Sequence, residues 1–480
     1  MSEFSTKNEN QTISVNKGFF ILITSLIISI IFNILFYGKI PGISCIIFVS
    51  FSYSLFFINF KNSFKAKINF QNLVFLFILL LSLYYSLFAN EIFTVLNVMV
   101  LFVLILIHTM LSCEKNTREW FQFSFINDIL YGLFYGMFAY IFKPITVLAN
   151  IKVFNKPDNK NNNVKKVFIG LIISLPLLLI IILLLSSADA VFGNFMSSFT
   201  KIFKNINMPE VIGRSFIIVI IFAFTFSYLW FLSLPKNEIN KNRVQRNYSN
   251  INEISSSNGI NINNEAGLKK SLSVFDPIIV ITVLVSINLV YLLFTMIQFT
   301  YLFGSINHNL PQNLTYAEYA RKGFFELVLV TLINLIIILA TGSFTKINSN
   351  KIYAAVKVLN SFLVFCTGVM LFSAHFRMSL YEETYGYTYL RIFTHAFMIF
   401  IFVLLIISLI KIWNQKLVVL KYYIIVSLIA YILINFVNVD SIIAKNNIER
   451  YHHSEEIDVS YLTQLSYDAV PQLLDFLPEL

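Results

Sequence analysis

IYAAVKVLNSFLVFCTGVMLFSAHFRMSLYEETYGYTYLRIFTHAFMIFIFVLLIISLI, residues 352–410, decides the fold. Its apolar runs, 352–374 and 390–410, each exceed the roughly 20 residues an α-helix needs to cross about 30 Å of hydrocarbon. Between them lie Arg377, Glu382, Glu383, Arg391 and His395, within nineteen residues and interleaved with Tyr381, Tyr385, Tyr387 and Tyr389. Ionisable groups beside hydrocarbon are costly; they pair, line a wet cavity or do work.

Working outward, the same run length recurs. Of the 480 residues 57% are hydrophobic, 12% are charged and 51 are phenylalanine, so the solvent for most of the chain is lipid. The expected fold is all-α: a polytopic transmembrane helix bundle of about 11 spans, with interfacial helices and a small helical extracytoplasmic tail. The spans are 19–36, 40–60, 70–89, 92–112, 167–185 (bent at Pro176), 214–234, 277–303, 323–341, 352–374, 390–410 and 417–437. These runs are too long for the strands of a β-barrel. Cys45, Cys113 and Cys366 form no CxxC pair and no disulfide framework.

Five regions follow. Residues 1–18 read as a cytoplasmic tail, 19–112 as a four-span bundle and 113–166 as a cytoplasmic interfacial helix with a linker. Residues 167–437 read as a seven-span membrane domain with a disordered cytoplasmic loop at 235–273, and 438–480 as an extracytoplasmic helical tail. In the third region Ile126, Ile129, Leu130, Leu133, Phe134, Met137, Phe138 and Ile141 form an apolar stripe opposite Asn127, Asp128, Tyr131 and Tyr135. Lys115, Arg118, Lys143 and Lys152 at its ends favour a helix lying in the interface, whereas Gly132 and Gly136 favour a packed span. A second stripe runs from Phe192 to Ile206, and Asp458 and Ser466 read as helix caps.

The net charge of +10 is explained by topology rather than by nucleic acid. Lys and Arg counted on the two sides of eleven spans fall 25 to 10. With cations favoured inside, the amino terminus is cytoplasmic and the carboxyl terminus extracytoplasmic, in the inner (plasma) membrane. The polar blocks around Asp189, Glu318 and Glu382 and the acidic tail then share the outer face.

The candidate binding residues are Glu318, Arg321, Glu326, Arg377, Glu382, Arg391 and His395. Thr315 and Glu318 have capping-box spacing, and Glu318, Arg321, Lys322 and Glu326 share one helical face. The arginines are expected to pair carboxylates or hold an anionic group, Arg391 with Glu382 or Glu326. His375, Ser379 and Glu382 share a second face, and Thr388, Arg391 and His395 a third. Convergence of these histidines with His308 on zinc is the weaker reading, because no HExxH is present; hydrogen-bonded histidines beside tyrosines are favoured, with no metal and no cofactor expected. Glu382 and Glu383 point about 100° apart on a helix, so alone they are no catalytic dyad. Asp189 reads as a helix-end residue, and no Walker loop, GxSxG or dinucleotide fingerprint occurs.

The blocks LTYAEYARKGFFEL (314–327), RMSLYEETYGYTYLRIFTHAF (377–397) and NVDSIIAKNNIER (438–450), with SADAVF (187–192) before them, carry a resemblance. Over roughly residues 165–470 the chain resembles a bacterial family of multi-spanning membrane proteins known as domain of unknown function 4173, related to 4153. The resemblance implies an integral membrane protein and supplies no catalytic residue. The favoured function is non-enzymatic: the outer polar cluster binds or passes a small solute or lipid headgroup, with the bilayer as the chain's partner. The alternatives are a membrane enzyme acting on envelope lipid or glycan, and an assembly or signalling partner whose acidic tail docks another envelope protein. The lack of a convincing internal repeat counts against transport.

Overall fold

The computed structural model describes residues 15–60, 69–149, 208–235, 276–304, 324–344 and 350–479, together with Ser174, Leu178, Ile182, Leu185, Asp189 and Phe192. The described residues are helical, without a strand. The apolar runs become α1 (Val15–Phe36), α2 (Ile43–Asn59), α3 (Phe70–Leu87), α4 (Glu91–Ser112), α7 (Met208–Ser233), α8 (Pro277–Gly304), α9 (Phe324–Phe344), α10 (Asn350–Tyr385), α11 (Tyr389–Trp413) and α12 (Val419–Phe436). Between α4 and α7 lie the short helices α5 (Phe125–Tyr131) and α6 (Lys143–Ala149). The tail folds as α13 (Val439–Ser454), α14 (Val459–Leu462) and α15 (Val470–Phe476).

Eight of these helices are long and apolar enough to cross a membrane; Ile43–Asn59 and Glu326–Gly342 are shorter apolar segments. Of the expected fifth span only Ser174, Leu178, Ile182 and Leu185 are described, each of them helical; the linker before it, the stripe after Phe192, the loop 235–273 beyond Pro235, His308, Thr315, Glu318, Arg321 and Lys322 lie outside the described residues. Outward faces are apolar: Phe365, Phe372 and Val358 on α10 and Ile336 on α9 are all exposed. In water that would be a liability, but facing acyl chains it is the expected surface.

The chain forms two compact units. The first takes residues 1–86, 100–119 and 123–259; the second takes 87–99, 120–122 and 260–480. In the first unit the stripe of α5 is inverted relative to a soluble amphipathic helix. Ile126, Leu130, Phe134 and Phe138 face outward, whereas Phe125, Asp128, Gly132 and Gly136 are buried. A single π turn, Gly132–Gly136, follows α5. A Cβ on Gly132 would meet Met110 Sδ at 2.4 Å, and one on Gly136 would meet Phe231 at 2.9 Å, so both glycines serve close approach. Asp128 accepts from Thr117 N–H (2.7 Å), Thr117 O–H (2.8 Å) and Arg118 N–H (2.9 Å), which ties the polar face to the preceding loop.

The second unit is held by an apolar core from α8, α9, α10 and α11, including Leu284, Leu363, Met370, Ala374, Met398 and Ile401. Amides and hydroxyls cross-link it. Tyr291 donates to Asn334 Oδ1 (2.8 Å), Asn334 donates to Thr367 (3.0 Å), and Asn288 donates to the Leu359 carbonyl (3.0 Å). Asn97 donates to Asn435 at 2.7 Å and accepts from Tyr431 at 2.6 Å. Such bonds contribute about 0.6–2 kcal/mol each in lipid and fix register where apolar packing alone is permissive.

Candidate functional site: a buried carboxylate and two histidines

Helix α10 does not stop where hydropathy falls. It runs on through Arg377, Glu382 and Glu383 to Tyr385, 36 residues in all. At 1.5 Å per residue that is roughly 54 Å, well beyond the roughly 30 Å hydrocarbon thickness. Gly386 reverses the chain with φ +83°, and α11 begins at Tyr389.

His375 and Glu382, seven residues apart, fall on the same face of α10, and His395 of α11 packs against both. His395 Nδ1 lies 2.8 Å from His375 Nδ1, and His395 Nε2 lies 3.0 Å from Glu382 Oε2. The imidazole rings meet edge to face, with centroids 4.4 Å apart. The Glu382 side chain is 7% exposed and that of His395 16%. Glu382 Oε1 is buried with no hydrogen-bond partner among the described residues. A buried carboxylate oxygen without a donor is costly, so this atom is where the cluster can accept a further group.

The predicted residues separate. Glu382 and His395 are brought together, with His375 added to them. Arg391 turns away: its guanidinium donates to the Gly386 carbonyl and stacks 4.4 Å from the Tyr381 ring centre. The expected ion pair with Glu382 or Glu326 is therefore not formed, because the carbonyl of the positive-φ Gly386 and the Tyr381 ring of α10 engage the guanidinium instead. Glu326 is exposed in the first turn of α9 and makes no bond to the histidine chain. Arg377 is half-buried, about 200° round the helix from His375. Ser379 bonds the His375 carbonyl (3.2 Å) rather than joining the cluster. No group of three His, Cys, Asp or Glu among the described residues is placed to hold a metal ion. The reason is geometric: Glu382 and His375 sit on opposite sides of the His395 ring, so no single point is near three donors.

A second constellation escaped the sequence reading. Asp440, in the first turn of α13, is buried and accepts from Asn90 (2.7 Å), the Tyr389 hydroxyl and the Ser466 N–H (3.0 Å). Asn447, two turns on, holds the backbone of Tyr387, and Arg450 donates to the Thr384 carbonyl at 3.2 Å. Ala89 N–H donates to Asp468 at 2.9 Å, and Tyr389 N–H donates to Tyr461 O–H at 3.1 Å. The tail is thus a clasp over the α10–α11 turn. Its only sequence signal is the block at 438–450, where Asp440 and Asn447 sit seven residues apart. Burial first, then the negative charges of Glu382, Glu383 and Glu449, push the Tyr387 hydroxyl above its ordinary range, so it stays protonated.

No curated protein and no solved structure matches the chain. One family model does, across residues 75–476, which begins inside α3 and takes in α10, α11 and the clasp. The chain therefore belongs to the family described as Domain of unknown function (DUF4153).

Proposed function

We propose that the chain binds or passes a small solute or a lipid headgroup at the His375–Glu382–His395 cluster, on the extracytoplasmic side of the plasma membrane. The observation that carries the reading is Glu382 Oε1, a buried carboxylate oxygen with an unused acceptor, on a side chain bonded to the His395 imidazole. Sidedness is supported by the Lys and Arg asymmetry. It is also supported within the second unit, where the 88–90 turn, the α10–α11 turn and the tail are bonded at one end. A ligand with an N–H or O–H donor suits this acceptor, whereas an anion would meet a carboxylate and find Arg391 already engaged. Enzymatic turnover is the less favoured reading, since Glu383 is exposed and supplies no second carboxylate to the cluster.

The test is ligand-induced stabilisation of the purified protein in lipid nanodiscs, screened against headgroup analogues and small polar solutes. A stabilising ligand whose effect disappears in Glu382→Gln, with unliganded stability kept, supports the reading. A ligand that stabilises wild type and variant equally would overturn it, as would a panel without any stabiliser.

A further inference from the structure

The Nδ1–Nδ1 distance fixes a proton count. At 2.8 Å one nitrogen donates and the other accepts, so the gap holds a single hydrogen. The gap of 3.0 Å between His395 Nε2 and Glu382 Oε2 likewise holds one. With neutral rings, two arrangements satisfy both gaps. In the first, His375 Nδ1–H donates to His395 Nδ1, and His395 Nε2–H donates to the Glu382 carboxylate. In the second both bonds are reversed: protonated Glu382 donates to His395 Nε2, His395 Nδ1–H donates to His375 Nδ1, and His375 carries its hydrogen on Nε2. The heavy atoms need not move. The two states differ by one proton.

From this geometry we propose that His375, His395 and Glu382 form a proton relay, taking up one proton at His375 Nε2 and delivering it to Glu382. The inference deepens the reading above and rests on it, naming the proton as a species handled at the same cluster. The step balances without any redox change. A proton from hydronium bonds to His375 Nε2, the His375 Nδ1–H bond breaks as that proton passes to His395 Nδ1, and the His395 Nε2–H bond breaks as its proton passes to Glu382 Oε2. Each ring ends as its other neutral tautomer. An imidazolium at His395, donating to both neighbours, is the waypoint, and the Glu382 carboxylate stabilises it. His375 and Glu382 are about 10 Å apart along the helix axis, so charge moves that far while the side chains stay in place.

Among the described residues, the surroundings leave the relay to these three groups. On α10, Glu383 is exposed and Arg377 lies round the helix. On α11, Arg391 is held by Gly386 and Tyr381. Tyr387 in the turn and Glu449 on α13 add a neutral hydroxyl and a negative charge. From α8, α9 and α12, Tyr291 bonds Asn334, Glu326 is exposed and Tyr423 bonds Ser408.

The test is 15N nuclear magnetic resonance of histidine-labelled full-length protein in nanodiscs, between pH 8 and pH 5. The six histidines are assigned by difference with His375→Asn and His395→Asn. The expected result is a single step in which His375 moves its hydrogen from Nδ1 to Nε2 while His395 makes the opposite exchange. In Glu382→Gln the end acceptor is gone, so the coupled exchange is lost. Should that variant not fold, Glu382→Asp shortens the acceptor and should weaken the coupling instead. Separate titration of the two histidines in wild type overturns the relay, as does a His375 Nδ1 that never carries hydrogen. Coupled exchange without any stabilising ligand overturns the ligand reading alone, and the converse overturns the relay alone.

Discussion

Asn447 grips the backbone of Tyr387 with both ends of its amide: Oδ1 accepts from the Tyr387 N–H at 2.9 Å, and Nδ2 donates to the Tyr387 carbonyl at 2.9 Å. The amide mimics a strand neighbour, so a helix of the tail holds the α10–α11 turn as a ladder would. Asn447→Ala leaves both backbone groups without this partner. The expected cost is about 2 kcal/mol, which for a unit of this size is roughly 4–8 °C in thermal unfolding midpoint. Asn447→Asp keeps only the acceptor and should fall between wild type and Ala. Scanning calorimetry of the detergent-purified protein checks the order.

Gly386 is the other half of that contact. Its φ of +83° disfavours any side chain, and a Cβ there would lie 2.4 Å from Asn447 Oδ1. Gly386→Ala should therefore cost more than Asn447→Ala, since backbone strain of about 1–3 kcal/mol is added to the lost clamp. In the Asn447→Ala background the added penalty should shrink, because the clash is removed. A thermal double-mutant cycle shows this as non-additivity; strictly additive effects would mean that the two positions do not communicate.

Asp440 collects three donors in a buried position, and two of its partners lie far away in sequence. Tyr389→Phe removes one charge-assisted bond and should cost about 1.5–3 kcal/mol while leaving the fold. Asp440→Ala strands the Asn90, Tyr389 and Ser466 donors together and should abolish accumulation of the protein in membranes. Immunoblotting of membrane fractions separates these outcomes.

Run length made the spans legible, because a backbone in hydrocarbon must satisfy itself and leaves hydropathy as the dominant signal. It set the end of the ninth span at residue 374, whereas the shared helical face of His375, Ser379 and Glu382 carries the helix past that point, and α10 ends at Tyr385. Residues 375–385 are polar but include good helix formers (Arg377, Met378, Leu380, Glu382 and Glu383), and hydropathy reports on lipid rather than on hydrogen bonding. His375 and Glu382 were legible as one face, and His395 as belonging to the neighbouring face, because helical spacing is a local property. The partner of Arg391 was not, since it depends on a carbonyl exposed by the Gly386 turn. Asp440 was further out of reach: its contacts join residues 90, 389 and 466, and no periodicity encodes them.

The tail should loosen in acid. Ser460 O–H and the Tyr461 N–H bond the Asp458 carboxylate and hold its pKa below the ordinary value of 3.8. A depressed folded pKa means the cap contributes fully above pH 3.8 and is lost as pH falls through the folded value. Amide exchange at Tyr461 and Leu462 should accelerate in that window. Asp458→Asn caps without titrating, so its exchange should lack the acid step.

Orientation is best read by cysteine labelling, and the native thiols dictate how. Burial pushes the Cys113 thiol up to about 12, with Lys115 and Lys17 pulling weakly the other way. At neutral pH the thiolate that reacts with maleimides is therefore scarce, and Cys113 should label slowly even with a membrane-permeant reagent. A silent Cys113 says nothing about sidedness. Exposed Ser454 in the tail and exposed Gln415 in the α11–α12 turn are separated by α12 and flank it at opposite ends. In intact cells, Ser454→Cys should react with an impermeant maleimide, and Gln415→Cys should react only after permeabilisation. The reverse pattern would invert the whole topology and put the histidine cluster on the cytoplasmic side. Labelling of both in intact cells would mean that α12, despite its 18 apolar-rich residues, does not cross the membrane.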